Sequence, residues 1–127
     1  DESMDYQRLC ESIRQLDTMV RYVGVCDVTG EVIHGGLREG LTNLLSPEDM
    51  KKSNLFALER WKLHNALAPK IGKARYAMEE YEKIKQFTIG LENDHLLLMS
   101  TEVDADQSKI IEGAIKLIIS FYVQEYM

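Results

Sequence analysis

Apolar residues at Tyr6, Leu9, Cys10, Ile13, Leu16 and Val20 recur at helical spacing, with Arg8, Glu11, Arg14 and Gln15 between them. One apolar stripe on a polar cylinder predicts an amphipathic first helix. From Tyr22 the pattern shortens to a compact run, Tyr22-Val23-Gly24-Val25-Cys26, followed after Asp27-Val28-Thr29-Gly30 by Glu31-Val32-Ile33-His34. Two β-prone runs around a short turn containing glycine predict a hairpin. Asp27 is suited to bind a backbone amide two residues on, and Gly30 to supply a positive φ, so the turn needs no ligand to explain it. Gly35-Gly36 and Gly40 then break the pattern and predict a loop or loose turn through residues 37–45.

Ser46-Pro47-Glu48-Asp49 combines an N-cap serine, a proline at the first helical position and acids in the first turn, so a second helix is expected to start at Pro47. Pro69 biases its predecessor away from helix, which predicts an end near Ala68, and Asn54 marks a candidate interruption. The best inward stripe is Met50, Ala57, Leu58, Trp61 and Ala68, while Phe56, Leu63 and Leu67 widen the apolar face beyond what one contact needs. After Ile71-Gly72 the period becomes two: Tyr76 and Met78, then Phe87, Ile89 and Leu91, then Leu96 to Met99. Three strands are predicted, with turns at 81–83 and at Asn93-Asp94. Asp104 or Asp106 caps a closing helix from Gln107 to about Tyr126, apolar around most of its circumference. The order α-β-β-α-β-β-β-α with hairpin connections predicts the α+β class: a five-stranded, mainly antiparallel sheet packed with helices, one domain over residues 4–127. Asp1-Glu2-Ser3 reads as an expression remnant before a natural start at Met4.

A chain of 127 residues supports one core, and 45% hydrophobic with 28% charged residues is the balance of a folded globular protein. The net charge of −6 argues against nucleic acid as a partner, because that affinity rests on lysine and arginine meeting phosphates. The densest positive cluster, Lys70, Lys73 and Arg75, is too small for that role and reads as solvated. No apolar run long enough to span a bilayer and no leader pattern is present, so a cytoplasmic protein without membrane attachment is expected. Cys10 and Cys26 lack the spacing of a metal or redox pair and read as buried thiols.

The run "YVGVCDVTGEVI" resembles the first hairpin of the roadblock family, small modules related to dynein light chain and longin domains. "FTIGLENDHLLLMS" is similar to that family's last two strands and "SKIIEGAIKLIISFY" to its closing helix, so the resemblance covers nearly the whole chain. The central helix departs from the family by carrying Arg60, Trp61, Lys62 and His64 where small residues are usual. The resemblance implies a non-enzymatic interaction module without cofactor. It forms homodimers, often joined edge to edge through the third strand, here Ala74 to Glu80, and docks a small GTPase or a larger scaffold. The chain also resembles short uncharacterised proteins of ammonia-oxidising archaea, which implies no function. The same element order resembles PAS, Cache and profilin-like sensors; the alternative expectation is a signalling domain with a ligand pocket between the sheet and the second helix, near Trp61 and Tyr76.

Catalysis requires convergent groups, and the histidines are scattered singly at 34, 64 and 95, none with a second ligand at metal spacing. His34 reads as a loop histidine and His95 as solvated in a tight turn. Glu79, Glu80 and Glu82 suit an edge strand, where charge discourages unwanted pairing. The second and third helices carry more apolar surface than one small sheet covers, so Trp61, Tyr76, Met78, Ile118, Phe121 and Tyr122 are the expected interface residues, with catalytic, cofactor and metal residues expected to be none.

Overall fold

The computed structural model describes residues 5–125. In order they form α1 (Tyr6–Arg14), β1 (Val20–Cys26), β2 (Val32–Leu37), α2 (Pro47–Ile71), β3 (Ala77–Glu80), β4 (Ile84–Gly90), a 3₁₀ turn (Glu92–Asp94), β5 (Leu96–Glu102) and α3 (Gln107–Glu125). The five strands make one antiparallel sheet in the order β2-β1-β5-β4-β3. The α+β class and element order are those expected. The proposed remnant 1–3, the start at Met4 and the helix end at Tyr126 lie outside the described residues.

Register explains why the two faces of the sheet differ. One rung runs Met78–Phe87–Met99–Val23–Gly36 across all five strands, and the next residue along each strand gives Glu79–Gln86–Ser100–Tyr22–Leu37. Alternating side chains point to opposite faces, so these rungs belong to different faces. The first face, with Val25, Ile89 and Leu97, packs under α1 and α3 and forms the main core with Leu9, Ile13, Ile110, Ala114, Ile118 and Phe121. The second face lies under α2 and holds a smaller apolar cluster: Cys26, Leu96 and Leu98 beneath Tyr22, Ala57, Leu58 and Trp61.

Capping chemistry places the helices. Asp5 accepts from the Arg8 amide at the start of α1 and Ser46 from the Asp49 amide at the start of α2, and Asp106 is the acid that receives the Lys109 amide at the start of α3. The hairpin turn forms as its residues require: Asp27 Oδ1 accepts from the Thr29 amide at 2.9 Å, and Gly30 takes φ 85°.

Several boundaries differ from expectation for local reasons. Val20 is the first residue of β1 rather than the last of the stripe on α1, because the chain turns at Asp17, whose carboxylate accepts from the Met19 amide and whose carbonyl accepts from the Val20 amide. Gly35 and Gly36 lie inside β2 instead of ending it; a side chain at Gly35 would collide with the β1 backbone at Val23 and Gly24, so only glycine permits this approach. Proline at 69 does not stop α2, since it falls in the last turn and forfeits a single backbone bond there, and Gly72 closes the helix by donating to the Ala68 carbonyl at 2.8 Å. Asn54 does not interrupt α2 either: it is buried, and its side-chain amide donates to the Gly30 carbonyl at 3.0 Å. β4 ends at Gly90, leaving Leu91 beyond the strand.

Candidate interaction surface

The two edges of the sheet are treated differently. On β2, the Gly35 amide donates to Gln7 Oε1 at 3.1 Å and Arg14 donates to the Gly36 carbonyl at 3.0 Å, so side chains of α1 occupy edge groups that a further strand would use. Arg38 holds α1 in that position by donating to the backbone carbonyls of Val20, Arg14 and Asp17. β3 pairs on one side only and exposes its far side, with Glu80 and Tyr81 at the rim. An edge strand left open beside apolar surface is a site for strand addition.

That apolar surface is supplied by α2. Of its 25 residues only Asn54 is buried. The expected inward stripe is half-buried at Met50, Ala57, Leu58, Trp61 and Ala68, while Phe56, Leu63 and Leu67 point outward at 62%, 58% and 41% exposure. These three recur at helical spacing and continue toward Ile71 and Tyr76, both exposed, on the way to β3. A patch of this kind costs a monomer solubility and marks a contact surface. Arg60 stacks over the Phe56 ring at 5.3 Å and lies 3.9 Å from Glu79, tying the helix face to the β3 edge in chemistry as well as position.

The six expected interface residues separate into two groups. Trp61, Tyr76 and Met78 belong to the α2–β3 side. Trp61 is half-buried, its indole seated directly on Gly90, where a Cβ would overlap it, and its ring meets His64 edge-on at 4.8 Å. Tyr76 is exposed; Met78 is half-buried and turned toward the main core. On the opposite face, Ile118 and Phe121 are buried in that core and Tyr122 packs against it, its hydroxyl accepting from the Glu92 amide at 3.0 Å. The apolar excess of α3 therefore reduces to exposed Ile119 and Val123.

The remaining candidate groups do not converge. His34 is exposed but lies within β2 rather than in a loop, its ring 6.0 Å from that of Tyr6, and His95 is half-buried rather than solvated, because its ring stacks on Tyr6 at 5.8 Å. Among the described residues no three His, Cys, Asp or Glu side chains gather as a metal-holding group. Both thiols are buried, and burial pushes Cys10 up to about 12 and Cys26 up to about 11, far from the thiolate a nucleophile needs. Hydrogen bonds from Thr29 hold the Asp27 carboxyl below its usual range, which fits a turn-forming role. Among the described residues no helix is long and apolar enough to cross a membrane.

A cavity of about 170 Å³ does lie between α2 and the sheet, but under the N-terminal half of the helix rather than near Trp61 and Tyr76. It is lined by Met50, Ser53 and Ala57 from α2 and by Tyr22, Gln86 and Ser100 from the sheet. A pocket between the sheet and the second helix was the alternative expectation, but nearer Trp61 and Tyr76 than it lies; the contacts of Gln7 and Arg14 with β2 carry no local signal in the sequence, because their partners are distant along the chain.

No protein-family model matches the sequence, and no curated protein is a significant match. Solved structures do match the fold over nearly its whole length. The Roadblock/LC7 domain from Streptomyces avermitilis aligns with a TM-score of 0.69 at 14% identity, covering 97% of this chain and 99% of that one. The gliding protein MglB from Thermus thermophilus aligns with a TM-score of 0.68 at 14% identity, covering 92% and 87%. MglB from Myxococcus xanthus gives 0.67 at 12% identity, covering 98% and 99%. Sheet order, helix placement and full-length structural match agree: this chain has the roadblock/LC7 fold.

Proposed function

We propose that the protein is a non-enzymatic interaction module that acts as a homodimer and presents a composite surface to a protein partner such as a small GTPase. One observation carries the reading: a long helix that buries a single residue and turns Phe56, Leu63 and Leu67 to solvent beside an open strand edge. A second copy related by a two-fold axis satisfies both features at once, pairing β3 with β3 and helix face with helix face, since a two-fold contact uses the same patch twice. The opposite edge is bound by α1 side chains at Gly35 and Gly36, which favours β3 as the edge for this purpose. Support for assembly comes from the structural relatives, which include an MglB with tetrameric arrangement. The small GTPase as partner rests on the roadblock resemblance.

The test is light scattering over a concentration series with the double substitution Leu63→Glu/Leu67→Glu. Both positions are exposed within the chain, so the charges leave its own core intact. The expected result is twice the 14.6 kDa chain mass for the parent protein and a single chain mass for the variant, with equal helix content by circular dichroism. A parent protein that stays monomeric at every concentration overturns the reading.

A further inference from the structure

The gap beneath α2 has properties that dimerisation does not explain. Its floor is the rung Glu79–Gln86–Ser100–Tyr22–Leu37 together with Thr88 and Leu98, so under α2 the sheet sets Glu79, Gln86, Thr88 and Ser100 among its apolar side chains, where the same strands send Phe87, Met99 and Val23 to the α1–α3 face. A buried interface between helix and sheet is normally closed by apolar side chains at crystal-like density. Here Met50, Ala57 and Leu98 supply apolar walls, and Ser53, Gln86 and Ser100 supply hydrogen-bonding groups within the same space. Tyr22 lines the space, and its hydroxyl, seated over Gly24 at the β1 end, is buried and meets no hydrogen-bond partner among the described residues. An unmatched buried hydroxyl is costly to a fold that gains nothing from it.

Charge and size then narrow what fits. Both guanidinium groups at the cavity stand beside a carboxylate, Arg21 with Glu102 at 2.8 Å and Arg60 with Glu79 at 3.9 Å, so among the described residues the charge around the site is balanced and favours a neutral occupant over an anion. The space opens to solvent among exposed Leu44, Phe56 and Tyr81, and its volume of about 170 Å³ admits one benzene-sized ring, for which roughly 150 Å³ suffices. We infer that the cavity between α2 and the sheet is a binding site for a small neutral molecule, about one ring in size, with an apolar body and one hydroxyl or carbonyl group. Its apolar body lies against Met50, Ala57 and Leu98, and its polar group engages the Tyr22 hydroxyl or the neighbouring Ser100. The inference does not rest on the homodimer and is tested on the full chain in whatever oligomeric state it adopts.

Phenol and its apolar counterpart toluene are the probes, and the methyl resonance of Met50 is the reporter, with Met19, in the turn that leads into β1, as the control. Phenol is expected to shift Met50 saturably and leave Met19 unmoved, and to bind more tightly than toluene. Tyr22→Phe keeps the ring and removes the hydroxyl; it is expected to weaken phenol by about five- to tenfold, the worth of one hydrogen bond, and to leave toluene unchanged. Ser53→Leu, which fills the cavity from the helix side, is expected to abolish both. No saturable shift at Met50 with either probe overturns the site. Equal binding of phenol and toluene, or phenol binding that survives Ser53→Leu undiminished, overturns the assignment of its chemistry or its place. Because the readout is a local resonance rather than a mass, failure here is distinct from failure of the dimer.

Discussion

Replacing Gly90 by alanine tests how α2 is held to the sheet. Gly90 ends β4 with no positive φ, so alanine meets no backbone penalty there. The obstacle is Trp61: an added Cβ would sit 2.8 Å from indole Cε2 and 3.2 Å from Cδ1, and closer still to Nε1. Carbon atoms in favourable contact stand about 3.5–4.0 Å apart, so the ring must retreat by roughly 1 Å. The opposing benefit is small, because removing glycine's freedom from the unfolded chain returns about 0.4–1 kcal/mol. Overpacking of this size costs about 1–3 kcal/mol. A net loss of about 1–2 kcal/mol is expected.

Where that loss appears is the sharper part of the prediction. α2 is attached chiefly through Trp61 over Gly90 and through Asn54 to the Gly30 carbonyl, while α1, α3 and the other sheet face form a separate and larger apolar core. The substitution should therefore loosen one helix more than the whole fold. Trp61 is the only tryptophan, so its emission reports the contact without ambiguity. Gly90→Ala is expected to red-shift that emission, raise its quenching by acrylamide and lower the thermal midpoint by roughly 3–10 °C for a chain of this size. Unchanged emission and an unchanged midpoint together would show that Trp61 does not clamp the helix, and the reasoning about α2 would be wrong.

Two further outcomes follow from buried polar and titrating groups. Asn54→Ala leaves the Gly30 carbonyl without its side-chain donor and should cost about 1–2 kcal/mol in urea unfolding, the hydrogen-bond loss being partly offset by alanine's better helix propensity; a change below about 0.5 kcal/mol would refute the anchoring role. Alkaline pH should destabilise the fold, because burial raises Cys10 from 9.0 to about 12, Cys26 from 9.0 to about 11 and Tyr22 from 10.0 to about 12. The folded state favours the protonated forms, so this contribution is complete below the unfolded thiol value of about 9 and declines as pH rises from there toward the folded values. A urea midpoint that stays flat between pH 8 and 10.5 would contradict it.

The order of elements was readable because each carried a local signal that tertiary packing did not override. Ser46-Pro47 marked the start of α2, Asp27 and Gly30 the first turn, and the split between half-buried Ala57, Leu58 and Trp61 and exposed Phe56, Leu63 and Leu67 was already visible as a face too wide for one contact. What failed to show in sequence depended on distant partners. Gly35 and Gly36 looked like breakers because glycine does break strands, yet both lie within β2, where Gly35 allows it to approach β1. Ile118, Phe121 and Tyr122 looked like surplus apolar surface on α3 because α1 and the sheet that receive them are far away in sequence. Local chemistry is read along the chain; the destination of an apolar face is not.

The difference between the two sheet faces links these observations to function. Two helices close one face with an apolar core, and that face has no need of further partners. The other face receives a single helix, held by an amide, an indole and a small apolar cluster at Cys26, Leu96 and Leu98, and beside that cluster the floor turns polar at Gln86, Thr88 and Ser100. Burying apolar side chains stabilises a helix by about 25 cal/mol per Å², and α2 gains that only through the half-buried stripe of Ala57, Leu58 and Trp61 on Cys26, Leu96 and Leu98, while Phe56, Leu63 and Leu67 add nothing within the chain. Its stability must then depend on what covers Phe56, Leu63 and Leu67 from outside and on what fills the space beneath. Substitution on the outer face should accordingly alter assembly while sparing the main core, and substitution at Ser53 or Tyr22 should alter the cavity while sparing the outer face. If instead Leu63→Glu/Leu67→Glu unfolded the α1–α3 core along with α2, the two faces would be one cooperative unit and this division of labour would not hold.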